Sequence, residues 1–297
     1  MAGQQDIDAI ALLVTYRASL LVPGPGRAGL RLPGLTHNQR LWCFHSRNRR
    51  DFVLLILAAK INRQSYQKEA LLAQLDISRN TLKTILDEAQ SLDMLAADDG
   101  DDIRISEAFY DDYMRAYMNE WELLDNATAQ ALAKTFDRLV GTRQKMSYQA
   151  ACEKMLQMTV LSRAASVKLE RDTRLTPKSS GETLDLSSWV VMTSFNRDLL
   201  LLVMAAAIAK TPTNVTKIMA SLHASRNAIK SSLRVGVETG LIMKQKSGYW
   251  ASDQVLAMYL QWHLDVFAGY DKQLLSATAL VYETLGKRDE TAGIAAG

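Results

Sequence analysis

Apolar residues at Ile7, Ile10, Ala11, Leu13 and Val14 recur at helical spacing and predict a first helix. A stretch rich in Pro and Gly, from Pro23 to Gly34, predicts a loop after it. Leu41 to Phe44 reads as a short strand, with Val190-Val191-Met192 as a later counterpart. Ser46 can cap the next helix, which runs to about Ile61 and is nearly apolar along its second half, as a buried central helix would be. A short helix at about Lys68–Leu75 and a helix from Ser78 to about Ser91 follow, joined by a tight turn at Asp76. Asp76, and His223 at the same place further on, are residue types that tolerate positive φ. Two strand-like pairs come next: Met94–Ala97 with Ile103–Ile105, and Leu241–Lys244 with Tyr249–Ala251. The first pair flanks Asp98-Asp99-Gly100-Asp101-Asp102 and the second Gln245-Lys246-Ser247-Gly248, with Gly near each tip as hairpin turns require. Each hairpin leads into a long helix, one carrying Phe109, Tyr113, Tyr117, Trp121 and Leu124, the other Val255, Tyr259, Trp262, Val266 and Tyr270.

The pattern occurs twice because the chain repeats itself. A shift of 147 positions aligns Trp42 with Trp189, Arg50-Asp51 with Arg197-Asp198, and Ser78-Arg79-Asn80 with Ser225-Arg226-Asn227. Lys83 and Leu86 meet Lys230 and Leu233 in the same register. One residue less aligns Ser106, Tyr113 and Asp125 with Ser252, Tyr259 and Asp271, and Arg17-Ala18 with Arg163-Ala164. The copies run over about 1–145 and 146–297, a period far too long for a solenoid. Within them the helix-turn-helix segments fall at about 67–91 and 214–238, and the hairpins at about 94–106 and 241–252. Helix, turn, helix, hairpin is the order of a winged helix-turn-helix.

Composition narrows the field. Of 297 residues, 48% are apolar and 23% charged, which is ordinary for a globular chain. Two cysteines, Cys43 and Cys152, exclude a disulfide framework and a cysteine-rich zinc site. The first residues lack the basic and apolar regions of a signal peptide, and the longest apolar run, Leu199 to Ala209, falls short of the roughly 20 residues of a membrane span. The expectation is a cytoplasmic protein with no membrane partner. Net charge is +3, but it is unevenly divided: −1 over residues 1–150 and +4 over residues 151–297.

The second helix of a helix-turn-helix enters the major groove, where its first residues reach base edges. Here those residues are Ser78, Arg79, Asn80, Thr81 and Lys83, and in the second copy Ser225, Arg226, Asn227, Lys230 and Arg234. Arg pairs bidentately with guanine and Asn with adenine, while hydroxyls and free helix N–H groups suit phosphate oxygens. Leu82, Ile85, Leu86, Ile229 and Leu233 supply the packed face. Lys244 and Lys246 on the second hairpin would attract phosphates, whereas Asp98, Asp99, Asp101 and Asp102 on the first would repel them. Arg47, Arg49 and Arg50 read first as a charged helix start, with phosphate contact as the lesser alternative. The five tryptophans, Trp42, Trp121, Trp189, Trp250 and Trp262, read as core or interface packing.

Leu222-x-x-Ser225-Arg226-x-x-Ile229-Lys230-x-x-Leu233, followed by Glu238-x-Gly240-Leu241-Ile242, resembles the MarR-type winged-helix transcription regulators. Leu75-x-x-Ser78-Arg79-x-x-Leu82-Lys83-x-x-Leu86 is similar, with Asp93 where that family has Gly. The likeness covers about 60 residues of each copy. It implies a mainly α fold with small β-hairpin wings: two tandem winged helix-turn-helix domains plus long flanking helices, arranged as a pseudo-dimer. It implies a sequence-specific regulator on double-stranded DNA, reading an imperfectly palindromic site with two non-identical helices. It also leaves room for a small-molecule effector, a homodimer or a partner protein.

Other classes stay open at this point: a protein-interaction adaptor in a nucleoprotein complex, suggested by the acidic first wing, or a plasmid or phage replication initiator. Enzyme chemistry finds little footing. Gly24-Pro25-Gly26-Arg27-Ala28-Gly29 matches G-x-G-x-x-G as a string, but follows a helix and contains Pro25, so it lacks the strand–turn–helix setting of a dinucleotide site. His37, His45, His223 and His263 show no metal-ligand spacing with the cysteines. No catalytic residues, cofactor or metal are expected.

Overall fold

Capping explains where the helices begin. In a computed structural model, which describes residues 3–21, 34–96, 102–175, 186–191, 195–222 and 224–288, the chain is mainly helical with two small antiparallel sheets. The order in the first copy is α1 (Gln4–Leu21), α2 (His37–His45), α3 (Arg47–Ile61), β1 (Tyr66–Gln67), α4 (Lys68–Leu75), α5 (Arg79–Ser91), β2 (Asp102–Ile103), α6 (Glu107–Trp121) and α7 (Asn126–Val140). The second copy repeats it with α8 (Tyr148–Leu175), α9 (Leu186–Val191), α10 (Asn196–Ile208), α11 (Val215–Leu222), α12 (Arg226–Glu238), β3 (Ile242–Gln245), β4 (Gly248–Ala251), α13 (Asp253–Ala268) and α14 (Lys272–Gly286). Ser46, Ser78, Asp125, Ser225, Ser252 and Asp271 each accept a backbone N–H of the first turn they cap. No helix among the described residues is long and apolar enough to cross a membrane.

The strands expected at Leu41–Phe44 and Val190–Met192 are not there. Leu41–Phe44 lies inside α2, and Val190 and Val191 end α9; Met192 lies outside the described residues. A capping box overrides the short apolar run: Thr36 accepts the Gln39 N–H, and the Gln39 side chain accepts the Thr36 N–H. Adjacent Trp42 and Cys43 are buried together while Leu41 is 57% exposed, which fits a helix and not the strict alternation of a strand.

The sheets are smaller than the hairpin reading predicts in the first copy. Among the described residues the outer strand there contributes a single bridge, Leu95 to Ile105, and β2 pairs with β1, in the register Tyr66 to Ile103. In the second copy β3 and β4 form a full hairpin from Ile242–Ala251 to Gln245–Gly248, leaving Lys246-Ser247 as a two-residue tip. Thr213 bridges to Tyr249 beside it, as β1 does in the first copy. These extra pairings carry no sequence signal, being one or two residues long.

The described chain forms two compact units, and they cut across the repeat. One holds residues 31–123 with 152–176; the other holds 1–30, 124–151 and 177–297. In the unit that holds α3, Phe52 to Leu57 are buried on every side. Leu71, Leu82, Ile85, Met94, Phe109 and Tyr113 share that core, together with Leu156, Val160 and Ala164 of α8. In the other, α10 is the central helix, with α1, α9, α11 and β4 packed on it, and α7 lies along α14. Phe136 meets Phe267 and Tyr282 there at 4.9 and 5.8 Å between ring centres. Trp42 and Trp189 are core residues as expected, but Trp262 is 56% exposed.

Candidate nucleic-acid interface

Each of the helix pairs α4–α5 and α11–α12 is built from its caps outward. Asp76 ends α4 in the left-handed conformation, φ 52°, which turns the chain in two residues toward Ser78. The equivalent His223 lies outside the described residues. Ser78 Oγ accepts the Thr81 N–H at 3.1 Å, and Ser225 Oγ accepts the Ala228 N–H at 3.2 Å. These bonds start α5 and α12 with the same phase, so both helices bury the same face. Leu82, Ile85 and Ala89 are inside α5, and Ile229, Ser232, Leu233 and Gly236 inside α12.

The opposite face carries the residues singled out for base and phosphate contact. Ser78, Arg79, Asn80, Thr81 and Lys83 are all exposed on α5, and Ser225, Arg226, Asn227, Lys230 and Arg234 on α12. Among the described residues, no ion pair engages Arg79, Lys83, Arg226 or Lys230. Arg234 is different, for it pairs with Glu238 one turn on, at 3.2 Å. Lys244 and Lys246 are exposed on the second hairpin.

That hairpin is fixed to the α11–α12 pair and its lead-in at two points. Thr213 and Tyr249 exchange backbone hydrogen bonds of 2.9 and 2.8 Å. Gly248 adopts φ 152°, and a Cβ there would lie 2.3 Å from the Thr213 carbonyl oxygen, so only Gly permits the approach. On the helix side, a Cβ on Gly236 would fall 2.7 Å from the Ile242 side chain. The hairpin base and α12 therefore sit close enough to move together. Thr213 also leads into α11, whose first turn Asn214 caps by accepting the Lys217 N–H at 2.9 Å. Exposed Lys217 joins the basic surface in this way. It is a candidate residue the sequence reading missed, though Pro212-Thr213-Asn214 ahead of an apolar stretch is a legible helix start.

The first copy differs in its charges. A groove of about 440 Å³ runs between the start of α3 and the exposed side of α5, lined by Ser46, Asn48 and Arg49 on one side and Asn80, Thr84 and Glu88 on the other. Arg49 donates to Glu88 at 2.6 Å, Trp42 Nε1 donates to the same carboxylate oxygen at 2.7 Å, and the guanidinium lies 5.4 Å from the Trp42 ring centre. Arg49 is thus committed inside the protein, and Arg50 sits 3.6 Å from Asp51. The side chain of Arg47 lies outside the described residues. The second copy has Asn196 and Val235 at the places of Arg49 and Glu88, and there the Trp189 indole donates to the Ser232 carbonyl at 3.2 Å.

Asp98, Asp99 and Asp101 also lie outside the described residues, as does the Gly24–Gly29 string. Asp102 is engaged by Arg104 at 3.2 Å and by the Gln67 side chain. The first turn of α4 holds Glu69, whereas the first turn of α11 holds no acid. Comparison with protein-family models, curated proteins and solved structures yields no match.

Proposed function

We propose that the chain is a sequence-specific regulator of transcription that binds double-stranded DNA, with α4–α5 and α11–α12 as two non-identical helix-turn-helix heads and the adjoining hairpins as wings. The observation that carries this reading is the exposed Ser-Arg-Asn-x-x-Lys face at the capped start of both α5 and α12. The Ser recurs as a cap, but a solvated helix face has no reason to keep Arg, Asn and Lys at the same places in both copies, while a base-reading face does.

The second copy is the stronger head. Arg226, Asn227 and Lys230 on α12, Lys217 on α11 and Lys244 and Lys246 on the hairpin are all exposed, giving a basic surface with few acids in it. The first copy shows Glu69, Asp87 and Glu88 around α4 and α5. That charge difference favours an asymmetric site, contacted more tightly at one half than the other.

Selection from random double-stranded DNA tests this. Enrichment of one imperfectly palindromic motif is the expected result. On that motif Arg226→Ala should cost about 1–3 kcal/mol and relax one base position, whereas Lys246→Ala should weaken binding to all sequences and flatten its salt dependence. The acidic face of the first copy favours a second reading, an adaptor that docks protein. Retention of no DNA at low salt would select it over the regulator.

A further inference from the structure

We infer that Arg63, Gln64, Ser65 and Arg104 of the first copy form a binding pocket for a phosphate group, and that its ligand is a small phosphorylated molecule. The pocket shares no residue with the candidate nucleic-acid interface, and the inference stands whether or not the chain binds DNA.

Two segments build it. Arg63, Gln64 and Ser65 join the end of α3 to β1, and Arg104 directly follows β2. β1 and β2 run antiparallel with Tyr66 opposite Ile103, so the same register sets Ser65 opposite Arg104. The four residues line an open space of about 670 Å³. Small-molecule sites span roughly 300–1,000 Å³, so a phosphate with an organic group behind it has room here. The lining offers two guanidinium groups, an amide and a hydroxyl, all donors to phosphate oxygens, and no carboxylate. Arg104 is braced by Asp102 at 3.2 Å, which the Gln67 side chain holds in turn, and it stays 54% exposed.

The backbone gives Arg63 an independent mark. Its N–H donates to the Lys60 carbonyl at 3.0 Å, and the Gln64 N–H donates to the Ala59 carbonyl at 2.8 Å. These bonds end α3 on a left-handed residue, φ 56°, where glycine is the usual choice and a side chain costs conformational energy. α10 ends in the same way on Lys210, φ 49°. After α5 and α12, by contrast, that conformation falls to Asp93 in one copy and Gly240 in the other. Among the described residues, only the Arg63 and Lys210 place keeps a cation in both copies at this cost. The helix dipole does not account for Arg63, because Lys60 already supplies a cation to the last turn of α3.

The second copy keeps the cation and lacks the other donors. Thr211, Pro212 and Trp250 stand where the first copy has Gln64, Ser65 and Arg104. The full donor set thus belongs to the copy whose hairpin is acidic, with Asp98, Asp99, Asp101 and Asp102 just ahead of Arg104 in sequence. Those acids oppose a long polyanion laid along this flank, whereas a single phosphate needs only the two arginines and their neighbours. That contrast favours a small ligand over a stretch of DNA backbone.

The test uses the full chain and pyrophosphate as the probe, titrated calorimetrically at constant ionic strength with chloride as the balancing anion. One saturable site per chain is expected. Arg63→Gly and Arg104→Gln should each weaken it by about tenfold or more, the loss of a charge-assisted hydrogen bond. Glycine accepts φ 56° without strain, so Arg63→Gly should keep or raise the urea midpoint while it loses the ligand. Lys210→Gly should bind as the unaltered chain does. Absence of a saturable site, full binding by Arg63→Gly, or an equal loss in Lys210→Gly would overturn the pocket. The source of the phosphate is read from mixed-sequence DNA. Unchanged DNA affinity in Arg63→Gly is the expected result. A uniform fall, with the salt slope reduced by about one, would overturn the small-molecule assignment and give the pocket to the DNA backbone. Pyrophosphate uptake by a chain that retains no DNA would sink the regulator and leave this pocket standing.

Discussion

At the scale of the residue, matching positions in the two copies serve as internal controls. Asp93 and Gly240 follow the helices α5 and α12, both with positive φ, 57° and 74°. Glycine adopts that conformation without strain, whereas Asp pays roughly 1 kcal/mol. Asp93→Gly should therefore raise the urea midpoint, while Gly240→Asp should lower it. The caps give a second control: Ser78→Ala and Ser225→Ala should each destabilise by about 0.5–2 kcal/mol, read from urea unfolding.

His263 gives a pH dependence. Burial, and then the nearby Arg17 charge, push its imidazole down from 6.5 to about 4, and the Tyr259 carbonyl opposes them only in part. The unfolded chain takes up a proton below pH 6.5 that the folded chain refuses until about 4. Stability from this group is thus complete above 6.5 and declines as the pH falls toward 4. At pH 5 the loss should be about 2 kcal/mol. His263→Phe should narrow the gap in urea midpoint between pH 7.5 and pH 5. Glu283, held below the usual carboxylate range by Lys287 and then Arg143, adds its own loss only in more acid solution.

At the scale of the element, the helices with a clear start were readable, and the short elements were not. Lys68–Leu75 matches α4, which Asp76 ends in a left-handed turn, and the start of α5 follows from Ser78, because a cap is a local device that needs only its own turn. The strand expected at Leu41–Phe44 gives way to helix for the same reason: the box formed by Thr36 and Gln39 starts a helix there, and four apolar residues alone suit either helix or strand. β1 and the Thr213 bridge were invisible because their reason to exist is a partner strand some 36 residues away. The second hairpin tests this dependence. Gly248→Ala would drive a methyl group into the Thr213 carbonyl, so it should cost about 1–3 kcal/mol and, by loosening the hairpin, speed tryptic cleavage after Lys244 and Lys246. The candidate interface was legible at α5 and α12 for the reason that it depends on caps and helical phase. Lys217 was missed because it follows the Thr213 bridge to Tyr249, a long-range pairing that no local pattern announces.

At the scale of the whole molecule, the repeat and the compact units disagree in an informative way. The sequence alone determined that one pattern occurs twice, where its paired helices lie, and which face of α5 and α12 is buried. All of these rest on local periodicity or on identity between the copies. It also showed that charge is divided unequally, −1 against +4. Only the tertiary structure decided which copy each first helix serves. The buried stripe of α1 would suit either central helix, since α3 and α10 are counterparts in the repeat and both are apolar along their middle turns. Hydrophobic burial is non-directional and does not name a partner. What selects between equivalent partners is chain geometry together with specific contacts such as Arg163 over Tyr117, and both exist only once the chain is folded.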